Sequence, residues 1–252
     1  MLQPRRNRQT RHETMRSASA VKSTKIVKPA KPTVNVKTSK DVKFSSLSLI
    51  DPFAKKHSRS QLQQIRIIEA AIESFANRGI EATTYARLAR DCNISRPLIH
   101  HYFPTLASLF LMAAKHIRRS HLEAAMFNVK KAGPEAWDQL KAFVEGSFDW
   151  IEQHPNYAKF WLLYYYQCGL GGAIASEHTA LVKAGEESLQ SILSGFNLRK
   201  SDDPYVLTKS IQMTAIGGTL SALTESRHLP GKKAREITLS AIASILRGHR
   251  LL

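Results

Sequence analysis

The chain has 252 residues and a formal net charge of +17 at neutral pH, which predicts a polyanionic partner such as nucleic acid. Its two cysteines, Cys92 and Cys168, are far apart and match no metal or redox spacing, so they indicate reduced thiols in a cytoplasmic protein. The uncharged run at residues 160–176 is interrupted by Gln167 and three glycines, and it is too short to span a bilayer. We therefore expect neither a disulfide scaffold nor a membrane segment.

The N-terminal segment, residues 1–57, is polar and basic, with 14 Lys and Arg against three acidic residues. A segment of this composition buries too little apolar surface to offset its chain entropy, so we predict that it is disordered. Its predicted role is an electrostatic arm that follows DNA phosphates. A solubilising extension and a misassigned start of the chain are the alternatives.

Apolar side chains recur at helical spacing between residues 61 and 77, and Gly79 follows as a glycine that ends the helix. Ser58 or Ser60 is predicted to cap the start of this helix. Its apolar side should support the two short helices that come next.

The next stretch has the features of two short helices joined by a tight turn. Thr83 and Thr84 are residues of the N-cap type, and Asn93 tolerates the left-handed conformation that such a turn needs. Ser95 can cap the second helix, with Pro97 in its first turn. This order predicts a helix-turn-helix unit, whose second helix enters the major groove of DNA by its N-terminal end.

The polar side chains of this unit predict contacts with double-stranded DNA. Arg96 is the one fixed charge on the second helix, and a guanidinium can read guanine O6 and N7 through two hydrogen bonds. The residues predicted to contact DNA are Thr83, Thr84, Ser95, Arg96, Pro97, His100, His101 and Tyr102. An ordinary helical hairpin without DNA contacts is the alternative.

Several short motifs follow one another between Ile65 and Phe110: FANRG, ATT, LAR, ISRPLI, HYF and then P-x-L-x-x-LF. In this order and spacing they resemble the N-terminal domain of the tetracycline-repressor (TetR) family. Three positions depart from the family pattern. Asn93 stands for the turn glycine, His100 for the tyrosine before HYF, and Leu106 for a lysine that would contact a phosphate.

The resemblance implies an all-α protein with a three-helix helix-turn-helix domain at residues 58–104. A helical ligand-binding and dimerisation domain would follow at residues 105–252. The first helix of that domain, predicted at residues 105–131 with Thr105 as its cap, would transmit ligand binding to the DNA-binding domain as a rigid-body shift.

Proline and glycine signals predict five further helices, at residues 134–153, 155–170, 174–195, 204–226 and 232–248. Six aromatic residues crowd the second of these, so most of them should be buried or line a cavity. We predict a pocket for an unknown small apolar or aromatic effector, with Phe143, Trp161, Tyr165 and Cys168 in its wall. Plain core packing is the alternative for each of them.

The last two helices carry apolar residues that must be buried against another protein surface. In the family that the chain resembles, the last two long helices of each subunit pack into a four-helix bundle, which implies a homodimer. The residues predicted at this interface are Ile211, Ala215, Gly218, Ala222, Ile242 and Ile245. Burial of these helices within a monomer is the alternative.

The features together predict a cytoplasmic, nucleoid-associated transcriptional regulator, a repressor that a small ligand releases from a palindromic operator. An architectural DNA-binding protein without an inducer is the main alternative. The sequence has no nucleophile elbow, phosphate-binding loop or metal-spaced set of ligands, so we expect no enzyme activity, no cofactor and no metal site. His116 and His121 lie five residues apart, which favours solvated or packed side chains over a metal pair.

Overall fold

The computed structural model describes residues 56–225 and 227–252, so nearly all of the predicted N-terminal arm lies outside the described residues. The described part of the chain consists of α-helices and connecting turns without a β-strand, and the prediction of an all-α fold is confirmed. The helices are α1 (Arg59–Ala82), α2 (Tyr85–Asp91), α3 (Arg96–Tyr102), α4 (Leu106–Lys131), α5 (Ala136–Gln153), α6 (Pro155–Gly169), α7 (Gly172–Leu193), α8 (Pro204–Thr224) and α9 (Gly231–Gly248).

The first helices begin at side-chain caps, as their sequences predict. The Ser58 hydroxyl accepts from the backbone N–H of Gln61, and the Gln61 side chain accepts from the Ser58 N–H in return. Ser95 caps α3, and Thr105 caps α4 in the same reciprocal way. Each cap satisfies N–H groups that have no partner within the helix, which sets the first residue of each element.

Two residues with positive φ turn the chain around the helix-turn-helix unit. Gly79, with φ of 79°, breaks the helical path of α1 three residues before its end, where a residue with a side chain would be strained. Asn93, with φ of 52°, takes the left-handed conformation in the turn between α2 and α3. Both positions agree with the turn chemistry inferred from the sequence.

One buried core joins the helix-turn-helix unit to the helices that follow it. The rings of Phe75 on α1 and Phe110 on α4 meet edge to face, with centroids 5.1 Å apart. Phe160 on α6 contacts both rings, at 6.0 Å from Phe75 and 4.7 Å from Phe110. All three are almost fully buried, and aromatic pairs of this kind contribute about 1 kcal/mol each beyond their buried area. The core therefore fixes α1 against α4 and α6.

A second core lies between α5, α7, α8 and α9, around fully buried residues such as Leu140, Val144 and Leu246. Ile211 on α8 and Ile242 on α9 belong to it, with exposed fractions of 1% and 0%. The prediction that these two residues form a dimer interface is therefore wrong, because they already pack inside their own subunit. None of the described helices is long and apolar enough to cross a membrane.

Candidate nucleic-acid interface and effector cavity

Helix α3 presents a polar surface to solvent and an apolar side to the protein. Ile99 is fully buried and anchors the helix, while Ser95, Arg96 and Pro97 at its N-terminal end are exposed. Within the described residues the Arg96 guanidinium makes no hydrogen bond and no ion pair, so its donors are free for an external acceptor. The end of the helix that would enter a groove is thus the end with the unpaired cation.

The far end of α3 is held by three side-chain contacts. The ring of His100 lies against that of Tyr85 on α2, with centroids 3.9 Å apart, and the Tyr85 hydroxyl donates to the Phe103 carbonyl at 2.8 Å. Burial raises the pKa of Tyr85 to about 12, so this hydroxyl stays protonated as a donor. The Tyr102 hydroxyl accepts from Ser60 Oγ at 3.3 Å, which ties α3 to the start of α1.

The predicted DNA-contacting residues divide into two groups. Thr84, Ser95, Arg96, Pro97, His100 and His101 are exposed, and Tyr102 is half-buried. Thr83, in contrast, is 1% exposed, and its hydroxyl donates to the Gly79 carbonyl at 2.8 Å while it lies 2.9 Å from Ser74 Oγ. The prediction for Thr83 is wrong, because that side chain closes the break in α1 and faces the core.

Additional cationic side chains lie on the helices around α3. Arg59 is exposed at the start of α1 and Lys56 is exposed just before it, while Arg90 is exposed and Arg87 half-buried on α2. The sequence signal that would have found them is the charge balance of residues 56–103, which hold seven Lys and Arg against four acidic residues. Cationic side chains of this kind hold a nucleic-acid backbone without reading its sequence.

A cavity of about 120 Å³ lies between helices α4 to α8. Its wall is largely apolar, and it includes Phe143, Trp161 and Tyr165, three of the four residues predicted there. Cys168 is absent from the wall, so that prediction is wrong. Its side chain packs with the first core. Burial raises the pKa of Tyr164, and the neighbouring Cys168 raises it further.

Arg118 and His121 are among the polar residues that line the cavity, and the sequence did not predict either of them there. The Arg118 Nε–H donates to the Leu181 carbonyl at 3.2 Å, and its Nη1 donates to His121 Nδ1 at 3.2 Å. Burial and the adjacent Arg118 charge lower the pKa of His121 to about 3, so the ring is neutral near pH 7. Because Nδ1 accepts this hydrogen bond, the ring proton resides on Nε2.

A partly buried polar cluster connects the cavity region with α1. Glu69 on α1 accepts from the Tyr157 hydroxyl of α6 at 2.5 Å and contacts His116 Nε2 of α4 at 2.7 Å. Burial raises the pKa of Glu69, but the hydrogen bonds from His116 and Tyr157 outweigh it and leave the pKa below its usual value. The Tyr157 ring also contacts Trp150, which lines the cavity. His116 is therefore packed against a carboxylate, and the described residues contain no group of side chains suited to a metal.

An apolar surface remains exposed on the last two helices. Met213 is 70% exposed and Ile237 is 50% exposed. Ile216 and Leu220 on α8 are also exposed, and both line the cavity. The other residues predicted at the dimer interface, Ala215, Gly218, Ala222 and Ile245, are half-buried in the subunit. The exposed residues of this surface were not selected from the sequence, because α8 is apolar on all sides and carries a single charge.

Comparison with known proteins links this architecture to a family. Residues 67–113 match the model of bacterial regulatory proteins of the tetR family. The HTH-type transcriptional regulator BetI of Burkholderia lata is 26% identical over 107 residues, which are 42% of this chain and 55% of that protein. The BetI protein of Stenotrophomonas maltophilia is 28% identical over 100 residues, 40% of this chain and 51% of that protein. The chain thus spans about half the length of these relatives.

Solved structures show the same fold over a longer part of the chain. A putative transcriptional regulator from Pseudomonas aeruginosa PAO1 superposes with a TM-score of 0.65 and 18% identity, over 83% of this chain and 97% of that one. A putative transcriptional regulator from Saccharomonospora viridis, in complex with choline, superposes with a TM-score of 0.62 and 17% identity, over 71% of this chain and 95% of that one.

Proposed function

We propose that the chain, whose residues 67–113 match the model of bacterial regulatory proteins of the tetR family, is a transcriptional regulator that binds an operator in double-stranded DNA. The observation that carries this proposal is the exposed N-terminal end of α3, where Arg96 has no partner among the described residues. A regulator of this kind would act as a repressor that a small molecule in the cavity releases from DNA.

The decisive experiment selects genomic fragments with the purified full-length protein and searches the bound fragments for a shared palindrome. Arg96→Ala should then weaken binding to that operator, because loss of a bidentate base contact costs about 1–3 kcal/mol, roughly 5- to 150-fold in affinity. It should also flatten the base preference at one position of each half-site. Lys183→Ala on α7 is the matched control, since Lys183 is an exposed cation paired with Glu187.

Three results would contradict this assignment. Recovery of fragments without a common sequence would contradict binding to a specific operator. A loss of affinity that is equal for operator and random duplexes would make Arg96 a phosphate contact rather than a reader of bases. An equal loss in Lys183→Ala would attribute the effect to net charge alone.

The basic segment at residues 1–57 supports a second candidate, an architectural DNA-binding protein without an inducer. Non-specific binding is almost wholly electrostatic, so the two candidates differ in their dependence on salt and on sequence. A regulator lacking residues 1–57 should still prefer its operator over a scrambled duplex. The slope of log affinity against log salt should fall by about 0.9 for each phosphate contact that the deletion removes. An architectural protein should show no preference in either form.

A symmetric homodimer is part of the proposed function, because a palindromic operator has two equivalent half-sites. The exposed apolar surface of α8 and α9 supports it. Met213→Asp and Ile237→Asp should yield folded monomers in light scattering at micromolar concentration. Phe127→Asp, at another residue that is 58% exposed, should leave the dimer intact. A monomeric wild-type protein would refute this arrangement.

The cavity supports the proposed response to a small molecule. The Saccharomonospora viridis neighbour is in complex with choline, which makes a quaternary ammonium one candidate effector for this chain. Aromatic walls such as those formed by Trp161 and Tyr165 would favour a cation of this kind. The charge of the cavity wall decides whether this candidate fits.

A further inference from the structure

The cavity holds a cationic side chain that is largely removed from solvent. Burial lowers the pKa of Arg118, but a guanidinium remains charged at neutral pH. Among the described residues no carboxylate lies within ion-pair distance of it. Glu186, which acts on Arg118 at longer range, forms an ion pair with Lys209. A buried charge without a counterion is unfavourable unless another group offsets it.

The packing around Arg118 preserves space for its guanidinium. A Cβ atom added at Gly185 on α7 would lie 1.5 Å from Nη2, so any larger residue there would displace the group. The Nε–H and Nη1 groups bond to Leu181 and His121, while Nη2 makes no hydrogen bond within the described residues. These contacts orient the guanidinium in the cavity wall and leave donor capacity for an acceptor from outside the protein.

The rest of the cavity wall determines the shape of the ligand that could accept a hydrogen bond from the Arg118 guanidinium. Phe143, Trp150, Trp161 and Tyr165 contribute aromatic surface, and aliphatic side chains supply most of the rest. The volume of about 120 Å³ is on the scale of a cavity that holds a single aromatic ring. A ligand with an apolar body and one anionic end would match both the wall and the unpaired guanidinium.

We propose that the cavity binds a monocarboxylate whose apolar body is a single ring or a short acyl chain, with its carboxylate on the Arg118 guanidinium. The same cation disfavours choline, because two like charges would share a site of low dielectric. The aromatic wall alone would accept either charge, so Arg118 determines the selectivity. This inference deepens the proposed function by naming the chemical class of its effector.

The competing explanation is that Arg118 only ties α4 to α7 through the Leu181 carbonyl. A purely structural clamp would affect stability but would not distinguish a charged ligand from an uncharged one of the same shape. The comparison of acids with their amides therefore separates the two explanations.

The experiment uses the full-length protein and three acids of different length: phenylacetate, 3-phenylpropionate and octanoate. Each acid is measured beside its uncharged amide, and choline serves as the cationic probe. Binding is followed by calorimetry and by tryptophan fluorescence, because two of the three tryptophans, Trp150 and Trp161, line the cavity. The wild-type protein should bind at least one acid about tenfold or more tightly than the matching amide, since a hydrogen bond to an ionised group is roughly twice as strong as a neutral one.

Arg118→Met should reduce the ratio of acid to amide affinity to about one, whereas Arg118→Lys should retain part of it because the charge remains without the planar fork. Arg119→Met is the matched control, since Arg119 is the adjacent arginine, pairs with Glu123 and does not line the cavity. The wild-type ratio tests the proposal by itself if Arg118→Met does not fold.

The proposal is wrong if no acid binds at millimolar concentration, or if an amide or choline binds as tightly as the acids. Its failure is distinguishable from failure of the proposed function. A protein that selects a palindrome but ignores all three acids would remain a regulator with another effector. A protein that binds the acids but selects no DNA sequence would keep the ligand class and lose the regulatory role.

Discussion

The half-buried histidine of the cavity wall, His121, should make the stability of the protein sensitive to mild acid. His121 has a pKa of about 3 in the folded protein, because partial burial and the adjacent charge of Arg118 both disfavour the protonated ring. In the unfolded chain an imidazole has a pKa of about 6.5. Between pH 3 and pH 6.5 the unfolded chain therefore binds a proton on this imidazole, whereas the folded protein does not. The free energy of unfolding should thus fall as pH drops from 6.5 toward 3.

The expected magnitude follows from these two values. At pH 5 the unfolded imidazole is almost fully protonated while the folded ring stays neutral, which favours unfolding by about 2 kcal/mol relative to neutral pH. For a protein of this size, that corresponds to a decrease in melting temperature of roughly 4–8 °C. The effect should be absent from a variant with no imidazole at this position.

The assay is thermal and urea unfolding of the wild-type protein and His121→Gln at pH 5 and pH 7.5, followed by circular dichroism. Glutamine can still accept from Arg118, so the variant tests the proton and not the hydrogen bond. The difference in unfolding free energy between the two pH values should be about 2 kcal/mol smaller in the variant. Arg118→Met should also reduce it in part, because removal of the neighbouring charge raises the pKa of His121. Equal pH dependence in wild type and His121→Gln would refute the reasoning.

Two further predictions concern packing outside the cavity. Glu69→Gln removes the charged acceptor of the Tyr157 hydroxyl. Because Glu69 is partly exposed, we expect the free energy of unfolding, measured in urea, to fall by about 1 kcal/mol. Adding Tyr157→Phe to the Glu69→Gln variant should lower it little further. A Cβ at Gly218 would lie 1.8 Å from a threonine hydroxyl on α9, whereas one at Gly217 would meet nothing within 4 Å. Gly218→Ala should therefore lower the melting temperature, while Gly217→Ala should raise the stability of the subunit by up to about 1 kcal/mol. A greater loss in Gly217→Ala than in Gly218→Ala would contradict this packing.

The boundaries of the helices were readable from the sequence because they depend on neighbouring residues. Ser58, Ser95 and Thr105 supply hydroxyls to N–H groups three residues away, and Gly79 and Asn93 adopt positive φ at the breaks. These are local interactions, so they need no knowledge of the rest of the fold. The helix-turn-helix unit was predictable for the same reason.

The sequence did not predict which side of a helix faces the core where both sides of the helix are apolar. Helix α8 gives no periodic signal for an inner face, so Ile211 was assigned to a dimer interface although the subunit buries it, and exposed Met213 was not selected. Thr83 was read as a surface cap for an analogous reason, since burial of its hydroxyl depends on the break at Gly79. Only packing against other helices determines these orientations.

The cavity depends most strongly on tertiary structure. The aromatic crowding of α6 predicted Trp161 and Tyr165 in its wall, but it could not show that Cys168 packs toward Tyr164 instead. Arg118 has an ordinary position in a long helix, where a charged side chain is usually solvated. Its burial results from five helices that converge around it, and from Gly185, 67 residues later in the chain, whose missing side chain leaves space for the guanidinium.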